Sequence, residues 1–269
     1  MPASPLPDCQ RFRADLVDTA FSPHRHDTYT FAITTRGVQA FDYRGETRQS
    51  RPGAVVVLHP DELHDGRPGD DAGFGYAGLT VLPEALVRHR PGAGLPFLPG
   101  GVSRDRRLLT AVSDLFALTD AHAPEAHETA LIELALSLDA LSDAPAPVSP
   151  VTEAVIDAAC VHIRDHAEVG VTLAELETLT GQDRWQLCRD FRALRGTSPG
   201  RYLTQRRLDR VRAAIGAGAP LADAAGSSGF ADQAHMSRQF KAAYGISPGR
   251  YARTIVQDPL PGFTHPVLN

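Results

Sequence analysis

Cysteine and long apolar runs are both scarce in this sequence. Its 269 residues include three cysteines, Cys9, Cys160 and Cys188, which are far apart and form no CxxC pair. This spacing argues against a disulfide framework and a zinc-cysteine site, and it fits a reducing compartment. No segment approaches the roughly 20 consecutive apolar residues of a membrane helix, and the N-terminus lacks the layout of a secretory signal. We therefore expect a cytoplasmic protein with no membrane partner.

Lysine is nearly absent, and charge is divided unevenly along the chain. Lys241 is the single lysine among 27 basic residues, and the net charge is −5. Residues 1–150 hold 13 arginines and 20 acidic residues (−7), whereas residues 151–257 hold 14 basic and 11 acidic residues (+3). The acidic total argues against a protein that coats nucleic acid indiscriminately, and the basic excess lies in the C-terminal half.

A segment rich in proline and alanine divides the chain near its middle. Residues 142–150 read SDAPAPVSP, a composition that disfavours packing. We therefore predict a first domain at 1–142, a linker at 143–149 and a second domain at 150–269. The length is sufficient for two domains, each with its own core.

The first domain changes its hydrophobic period partway along. Residues 11–82 contain short β-rich runs separated by turns such as Arg44-Gly45, a spacing that predicts a small antiparallel barrel or sandwich. Residues 103–141 have helical spacing and predict two amphipathic helices. The apolar face of the second helix either packs on the barrel or pairs with a second protomer, and it is wide enough for both. Its members are Leu131, Leu134, Leu138 and Leu141.

The second domain contains a duplicated unit. The pentapeptide SPGRY occurs at 198–202 and again at 247–251, and the preceding residues align as LCRDFRALRGT and MSRQFKAAYGI. Each copy predicts a short helix, a glycine-containing turn, a second helix and a third helix opened by Ser-Pro, which is helix-turn-helix organisation. The two units occupy about 172–195 and 220–244. The expected fold class is therefore two-domain α+β, with an antiparallel barrel plus two helices followed by an all-α domain.

A helical wheel separates the buried and outward faces of each second helix. The buried stripes are Leu187, Phe191 and Leu194 in the first copy and Met236, Phe240 and Ala243 in the second. The outward residues are Trp185, Arg189 and Arg192, flanked by Gln186 and Cys188, and Ala234, Arg238 and Lys241, flanked by His235 and Ser237. An arginine fork matches the guanine edge in the major groove, which favours base contacts for Arg189 and Arg238. Arg192 and Lys241 are placed to contact phosphates.

Residues 150–254 resemble the DNA-binding domain of the AraC/XylS family of bacterial transcription regulators, whose signature is present here as GFADQAHMSRQFKAAYGISPGRY. The resemblance implies double-stranded DNA as a partner. It assigns base reading to Trp185, Cys188 and Arg189 in the first copy and to Gln233, Ala234, Ser237 and Arg238 in the second, and the wheel adds Gln186. Cys188 and Ala234 are poor hydrogen-bonding groups, so apolar contact is expected there. Ala231 stands where the family often has a capping serine, which leaves Asp232 as the expected N-cap.

The first domain resembles the cupin-like sensor domain of the same family. PHRHDTYTFAITTRG and RPGAVVVLHPDELHDG stand where a cupin has its two motifs, so His24, His26 and His64 match three of its metal positions. The glutamate of the cupin motif is replaced by Thr30 or Phe31. A divalent metal is the candidate cofactor, and the alternative is that the three histidines are hydrogen-bonded pocket residues.

A small-molecule pocket inside the barrel is the stronger expectation, because barrel interiors are natural ligand cavities. Its candidate residues are His24, His26, Tyr29, Phe31, Phe41, Tyr43 and His64. The acidic charge of this half favours a cationic or neutral ligand over an anion.

Together these features predict a non-enzymatic transcription regulator whose DNA binding responds to a small-molecule effector. A homodimer is expected, and RNA polymerase is a further candidate partner. The alternative function is a cupin metalloenzyme or a metal sensor that uses the three histidines.

Overall fold

The computed structural model of the protein describes residues 9–16, 20–118, 124–143 and 147–257. The strands in these residues are β1 (Cys9–Leu16), β2 (Phe21–His24), β3 (Tyr29–Gly37), β4 (Gln39–Tyr43), β5 (Glu46–Ser50), β6 (Val55–Leu58), β7 (His64–Pro68), β8 (Phe74–Val81) and β9 (Val102–Ser103). The helices are α1 (Pro83–Val87), α2 (Arg106–Ala117), α3 (Pro124–Asp139), α4 (Pro150–Asp165), α5 (Leu173–Thr180), α6 (Arg184–Arg195), α7 (Pro199–Gly216), α8 (Leu221–Ser227), α9 (Gln233–Tyr244) and α10 (Pro248–Gln257). The ends of the predicted domains at 1–8 and 258–269 lie outside these ranges.

The first domain is a sandwich of two antiparallel sheets. One sheet has the strand order β1-β8-β3-β6-β9 and the other the order β2-β7-β4-β5. The predicted Arg44-Gly45 turn joins β4 to β5 with φ of 53° and 82° at its two residues, which is the geometry of a tight hairpin turn. The antiparallel architecture predicted from strand spacing is confirmed, in the form of two facing sheets.

The five-stranded sheet is covered on both faces. Side chains between the sheets include Phe12, Ala32, Phe41, Val56 and Phe74. The alternate residues of the same strands, among them Tyr29, Phe31, Val55 and Leu79, pack on the other face against α2 and α3. Because successive side chains of a strand point to opposite faces, the run Val55–Leu58 is buried throughout its length.

Helices α2 and α3 complete this second layer. Leu131, Leu134 and Leu138 are at most 5% exposed, and Leu141 is partly buried in the same cluster. The apolar face of α3 therefore packs on the first domain of its own protomer, which was the first of the two predicted alternatives. A dimer would have to use another face.

Some of the linker residues that the structure describes are paired with the first domain through their backbone. Asp143 forms an isolated β-bridge with Phe97, and Pro147 forms one with Ala93. The Val148 N–H donates to the Gly92 carbonyl at 2.9 Å. The composition of this segment predicted a linker without contacts to either domain. The structure differs from that prediction because the loop at 88–101 supplies backbone partners for the linker. Residues 144–146 lie outside the described part of the chain.

The second domain consists of helices α4–α10, several of which begin at a side-chain cap. Ser149 and Ser198 cap α4 and α7, and Thr172 with Glu175 forms a capping box at α5. Asp232 caps α9 by accepting a hydrogen bond from the His235 N–H at 2.6 Å. The expectation that Asp232 replaces a capping serine is confirmed.

The two copies of the repeat have equivalent cores. The stripes predicted from the helical wheel, Leu187-Phe191-Leu194 and Met236-Phe240-Ala243, are buried. Phe191 packs edge-on against Tyr202 at a centroid distance of 5.4 Å, and Phe240 packs against Tyr251 at 5.3 Å. The tyrosine that ends each SPGRY therefore closes the core of its own unit. No helix in the described ranges has the length and apolar character needed to cross a membrane.

Candidate functional site

The outward faces of α6 and α9 are largely exposed. Trp185 is 73% exposed, although it is a large apolar side chain. The exposed positions among the predicted DNA contacts are Trp185, Arg189, Arg192, Gln233, Ala234, Arg238 and Lys241, and Gln186, Cys188 and Ser237 are half-buried. The structure thus places all ten predicted DNA-contacting residues on accessible helix surface.

A hydrogen-bond network orders the outward face of α6. The Arg189 Nη2 donates to Gln186 Oε1 at 2.7 Å, and Gln186 Nε2 donates to Asp190 Oδ1 at 2.7 Å. Gln182 Nε2 donates to the other oxygen of Asp190 at 2.8 Å. The Arg189 guanidinium is therefore linked through Gln186 to Asp190 on the same helix.

A cavity lies where the sandwich meets the helical domain. Its volume is about 120 Å³. At about 12 Å³ for each water-sized group, this is room for a molecule of roughly ten non-hydrogen atoms. Its walls from the first domain include Phe12, Phe21, His24, His26, Thr30, Ala32, Val56, Leu58, His64 and Tyr76. Its walls from the second domain are Gln205, Arg206, Asp209, Arg212, Ala243 and Tyr244.

Three of the predicted pocket residues line this cavity and four do not. His24, His26 and His64 are in its wall. Tyr29 and Phe31 pack on the opposite face of the sheet, and Phe41 and Tyr43 belong to the core between the sheets. None of these four aromatic side chains lines this cavity, so their assignment to an effector pocket stays a prediction. The even-numbered residues Thr28, Thr30 and Ala32 line the cavity with His26, because side chains two positions apart on a strand share a face. Counting in steps of two from His26 would therefore have predicted the cavity-facing side of β3.

The wall contributed by α7 carries a buried ion pair between the two domains. Arg206 and Asp27 are 3% and 4% exposed in their side chains, and Arg206 Nη2 lies 2.8 Å and 3.0 Å from the two Asp27 oxygens. Asp209 lies 3.3 Å from the same nitrogen. Burial raises the pKa of Asp27 to about 7 against the pull of the Arg206 charge, and the nearby carboxylates Asp209 and Glu84 add to the rise.

Arg206, a residue of the cavity wall, retains unused hydrogen-bonding capacity. Its Nε and Nη1 atoms are buried and have no partner within the described residues. A buried unpaired guanidinium donor is costly, so a ligand that offers oxygen acceptors would satisfy these atoms. Sequence analysis missed Arg206, because a single arginine on the charged helix between two repeats carries no signal of burial.

A second polar cluster ties the domains together beside the ion pair. The Tyr202 hydroxyl donates to Glu84 Oε1 at 2.9 Å, and Arg164 Nη1 lies 3.3 Å from the same oxygen. Arg195 Nε is 3.9 Å from Glu84 Oε2. Burial acts to raise the pKa of Glu84, but Arg195 and Arg206 outweigh it and hold that pKa below its usual value.

The three histidines form a compact cluster in the cavity wall. The ring centroids of His24 and His26 lie 4.3 Å and 4.9 Å from that of His64, and one ligand atom from each ring lies within 4.8 Å of the others. Burial lowers the pKa of all three imidazoles, of His26 to about 3, and repulsion between the rings adds to the effect at His26 and His64. The rings are therefore neutral near pH 7.

Helices α6 and α9 both contact the first domain at their C-terminal ends, and we call them the recognition helices. Gly196 and Gly245 follow α6 and α9 with φ of 71° and 72°. A Cβ at Gly196 would lie 2.6 Å from Pro60 Cβ, and one at Gly245 would lie 2.9 Å from His24 Nδ1. The Arg25 N–H also donates to the Ala242 carbonyl at 3.2 Å. Helix α6 thus contacts the segment before β7, and α9 contacts β2 at the histidine cluster.

Two family models match the chain. Residues 6–135 match the AraC-like ligand binding domain, and residues 176–254 match a helix-turn-helix domain. The boundary between these matches agrees with the architecture described above.

The chain is similar to several known proteins along most of its length. It is 25% identical over 239 residues to YbfI of Bacillus subtilis (strain 168), a protein named as an HTH-type transcriptional regulator, with 84% of this chain and 85% of that protein covered. A structure of ToxT from Vibrio cholerae has a TM-score of 0.65 at 11% identity and covers 92% of this chain and 98% of its own. A further ToxT structure contains an unsaturated fatty acid, with a TM-score of 0.64 at 13% identity, covering 91% of this chain and 94% of its own. The shared fold extends over both domains.

Proposed function

Since the chain belongs to the AraC family of transcription regulators, with a ligand-binding domain followed by a DNA-binding helix-turn-helix domain, we propose that one small molecule in the cavity between the domains sets its affinity for DNA. The observation that carries this proposal is the composition of the cavity wall. Strands of the first domain form one side, and α7 with the end of α9 forms the other. A ligand there changes its contacts whenever the domains change their arrangement, which is the requirement for an allosteric effector.

We assign DNA contacts to the outward faces of α6 and α9. Trp185, Gln186, Cys188 and Arg189 on the first helix, and Gln233, Ala234, Ser237 and Arg238 on the second, are the base-reading residues of the proposal. Their exposure supports this, as does the network that orients Arg189. Arg192 and Lys241, one turn further along, contact phosphates in the proposed complex. Helix α7 has 18 residues and a length of about 27 Å, which suits two neighbouring major-groove segments.

The proposed effector is a small organic acid with an apolar body. Phe12, Ala32, Val56 and Leu58 offer it apolar surface, and the unpartnered Nε and Nη1 atoms of Arg206 offer hydrogen bonds to a carboxylate. The fatty acid in a ToxT structure supports the same class of ligand for a protein of this fold. The overall negative charge of the first domain favoured a cationic or neutral ligand. We propose an anion instead, because Arg206 and Arg212 of the second domain place positive charge in the cavity wall.

Two further partners belong to the proposal. We expect a homodimer, formed through a face other than the buried leucines of α3, and contact with RNA polymerase when the protein is bound to DNA. Sedimentation of the purified protein tests the dimer, since a single species at the protomer mass would contradict it. We propose that the protein acts in the cytoplasm as a regulator rather than as an enzyme.

The test begins with selection of genomic fragments bound by the purified protein. The dissociation constant of one selected fragment is then measured by fluorescence anisotropy with octanoate, decanoate and cinnamate. At least one acid should change this constant tenfold or more (about 1.4 kcal/mol) and raise the melting temperature. The double variant Asp27→Asn/Arg206→Met removes both charges of the ion pair and should lose the response. A response of equal size in that variant, or none with the wild type, would contradict the effector assignment.

A further inference from the structure

The three histidines of the cavity wall have their ring orientation fixed by the backbone. His24 Nδ1 lies 2.8 Å from the Ser22 carbonyl, His26 Nδ1 lies 3.0 Å from the Thr28 carbonyl, and His64 Nδ1 lies 2.9 Å from the Glu62 carbonyl. A carbonyl oxygen only accepts, so in each ring Nδ1 carries the hydrogen and donates it. The Nε2 atom of each neutral ring then carries the lone pair, which in His26 accepts a hydrogen bond from the Thr30 hydroxyl at 3.3 Å. Metal-bound histidines are commonly held by the same kind of Nδ1–H hydrogen bond.

We propose that His24, His26 and His64 bind one divalent transition-metal ion through their Nε2 atoms, and that a coordination position of this ion opens onto the cavity. Three imidazoles with an open fourth position are a known ligand set for Zn²⁺. Among the described residues, these three form the one group of histidine, cysteine and acidic side chains whose ligand atoms converge in this way.

The fourth position is open because of what stands beside the histidines. The Thr30 hydroxyl lies 3.3 Å from His26 Nε2, where a longer acidic side chain would supply a ligand. Asp65 also borders the cavity, but its Oδ1 accepts from the Asp42 N–H at 2.6 Å and from Arg67. Three neutral imidazoles leave the ion's charge uncompensated, so an anionic donor from the cavity completes the site. This part rests on the proposed function, because it makes the acidic group of the effector the fourth ligand.

Ion binding draws the three rings closer. A tetrahedral ion with bonds of about 2.0–2.1 Å holds its nitrogen ligands roughly 3.3 Å apart. The ligand atoms here lie within 4.8 Å of one another, so closure requires movement on the order of 1 Å. His24 is in contact with Gly245 at the end of α9, and the Arg25 N–H is bonded to the Ala242 carbonyl. The movement is therefore transmitted to the second recognition helix.

Metal binding is tested without DNA. The protein is stripped with a chelator, and Zn²⁺ and Co²⁺ are titrated, with metal content after gel filtration measured by mass spectrometry. We expect one tightly held ion per chain and the visible absorption of four- or five-coordinate Co²⁺. Each single variant, His24→Ala, His26→Ala and His64→Ala, should weaken binding at least tenfold, with folding checked by circular dichroism.

The matched control is His162→Ala/His166→Ala. These residues form a histidine pair on α4 with ring centroids 4.3 Å apart and are the obvious site for adventitious surface binding. The control should retain the tight ion. No ion above background in the wild type, or the same loss of binding in the control as in the cavity variants, would overturn the proposal.

The coupling to α9 is tested with the selected DNA fragment. Zn²⁺ should change the dissociation constant of the stripped wild type at least threefold and leave that of the folded His26→Ala variant unchanged. If the ion binds without altering DNA affinity, the proposed coupling is overturned, whereas the proposed metal site is not. A protein that takes up the ion but selects no DNA overturns the proposed function instead.

Discussion

The two helix-turn-helix units have the same core but different surroundings. Phe191 and Phe240 occupy equivalent buried positions and pack on equivalent tyrosines. The outward face of α6 is ordered by a network through Gln186, whereas α9 presents Arg238 and Lys241 beside an alanine. Helix α6 docks on Pro60, and α9 docks beside His24 in the cavity wall. The two copies therefore share the packing of the unit and differ in what each one contacts in the ligand-binding domain.

This difference assigns distinct tasks to the two units. The first unit is held at a rigid proline and by the ordered Arg189, which suits constant recognition of its DNA segment. The second unit adjoins the histidine cluster, which suits a response to the contents of the cavity. The predictions below test the shared core first, then the docking, and finally the DNA surfaces.

The largest effect is expected from truncation of the shared core. Phe191→Ala and Phe240→Ala should each lower the free energy of unfolding of the second domain by about 3–5 kcal/mol, because both rings are fully buried. Chemical denaturation followed by circular dichroism measures the loss, and Val151→Ala, at a residue 74% exposed, is the control. The equivalence of the two cores would be broken if one variant were destabilised by less than about 1 kcal/mol.

The docking contacts are tested by three glycines that all end helices in the left-handed conformation. Gly181→Ala adds only backbone strain of about 1 kcal/mol, because no atom lies within 4 Å of its Cβ position. Gly196→Ala should cost about 2–3 kcal/mol, since it also meets the ring of Pro60. Gly245→Ala should fall between the two, because its Cβ would approach His24 Nδ1 and the Ser22 carbonyl oxygen, at 2.9 Å and 3.1 Å, less closely than that of Gly196 approaches Pro60. Equal losses of unfolding free energy in all three would show that neither docking contact contributes.

The arginines proposed to read bases, Arg189 and Arg238, should affect binding to the selected DNA fragment more than binding to an unrelated one. Arg189→Ala and Arg238→Ala should each reduce binding to the selected fragment by about 1–3 kcal/mol, with little change for an unrelated fragment. Anisotropy titrations with both fragments measure the difference. If the α6 network pre-orients Arg189, then Gln186→Ala should reproduce part of the Arg189→Ala loss. A full effect from Arg238 and none from Arg189 would assign recognition to the second unit alone.

The smallest effect is expected from the phosphate contacts. Arg192→Ala and Lys241→Ala should weaken binding to both fragments to a similar extent and lower the slope of log K against log salt by about 1 each. Arg106→Ala, an exposed arginine of the ligand-binding domain, should leave the slope unchanged. A loss confined to the selected fragment would move either residue to the base-reading set.

The sequence was sufficient to predict the repeated units, their caps and their buried stripes. These features depend on local rules, as Asp232 shows, because an N-cap is satisfied within three residues of itself. The histidine cluster was also predictable, since the fold resemblance brings β2 and β7 together. The face on which Tyr29 and Phe31 lie was not predictable, because both faces of β3 are buried and hydrophobicity alone does not distinguish them.

The part of the site contributed by the second domain could not be predicted. Arg206 and Asp27 are 179 positions apart, and their pairing depends on how the two domains pack. The packing of the linker against the loop at 88–101 depends on the same arrangement. Local periodicity carries no information about a contact between two domains.

The central claim is that the ligand-binding domain controls DNA affinity through the wall it shares with α7. Asp27→Asn tests this most directly, because Asp27 lies in the first domain and pairs with Arg206 of the second. With folding verified by circular dichroism, its dissociation constant for the selected fragment should differ at least fivefold from that of the wild type. Asp15→Asn, at an exposed partner of Arg36 in the same domain, should have no effect. Identical DNA affinity for the wild type and Asp27→Asn would contradict the account.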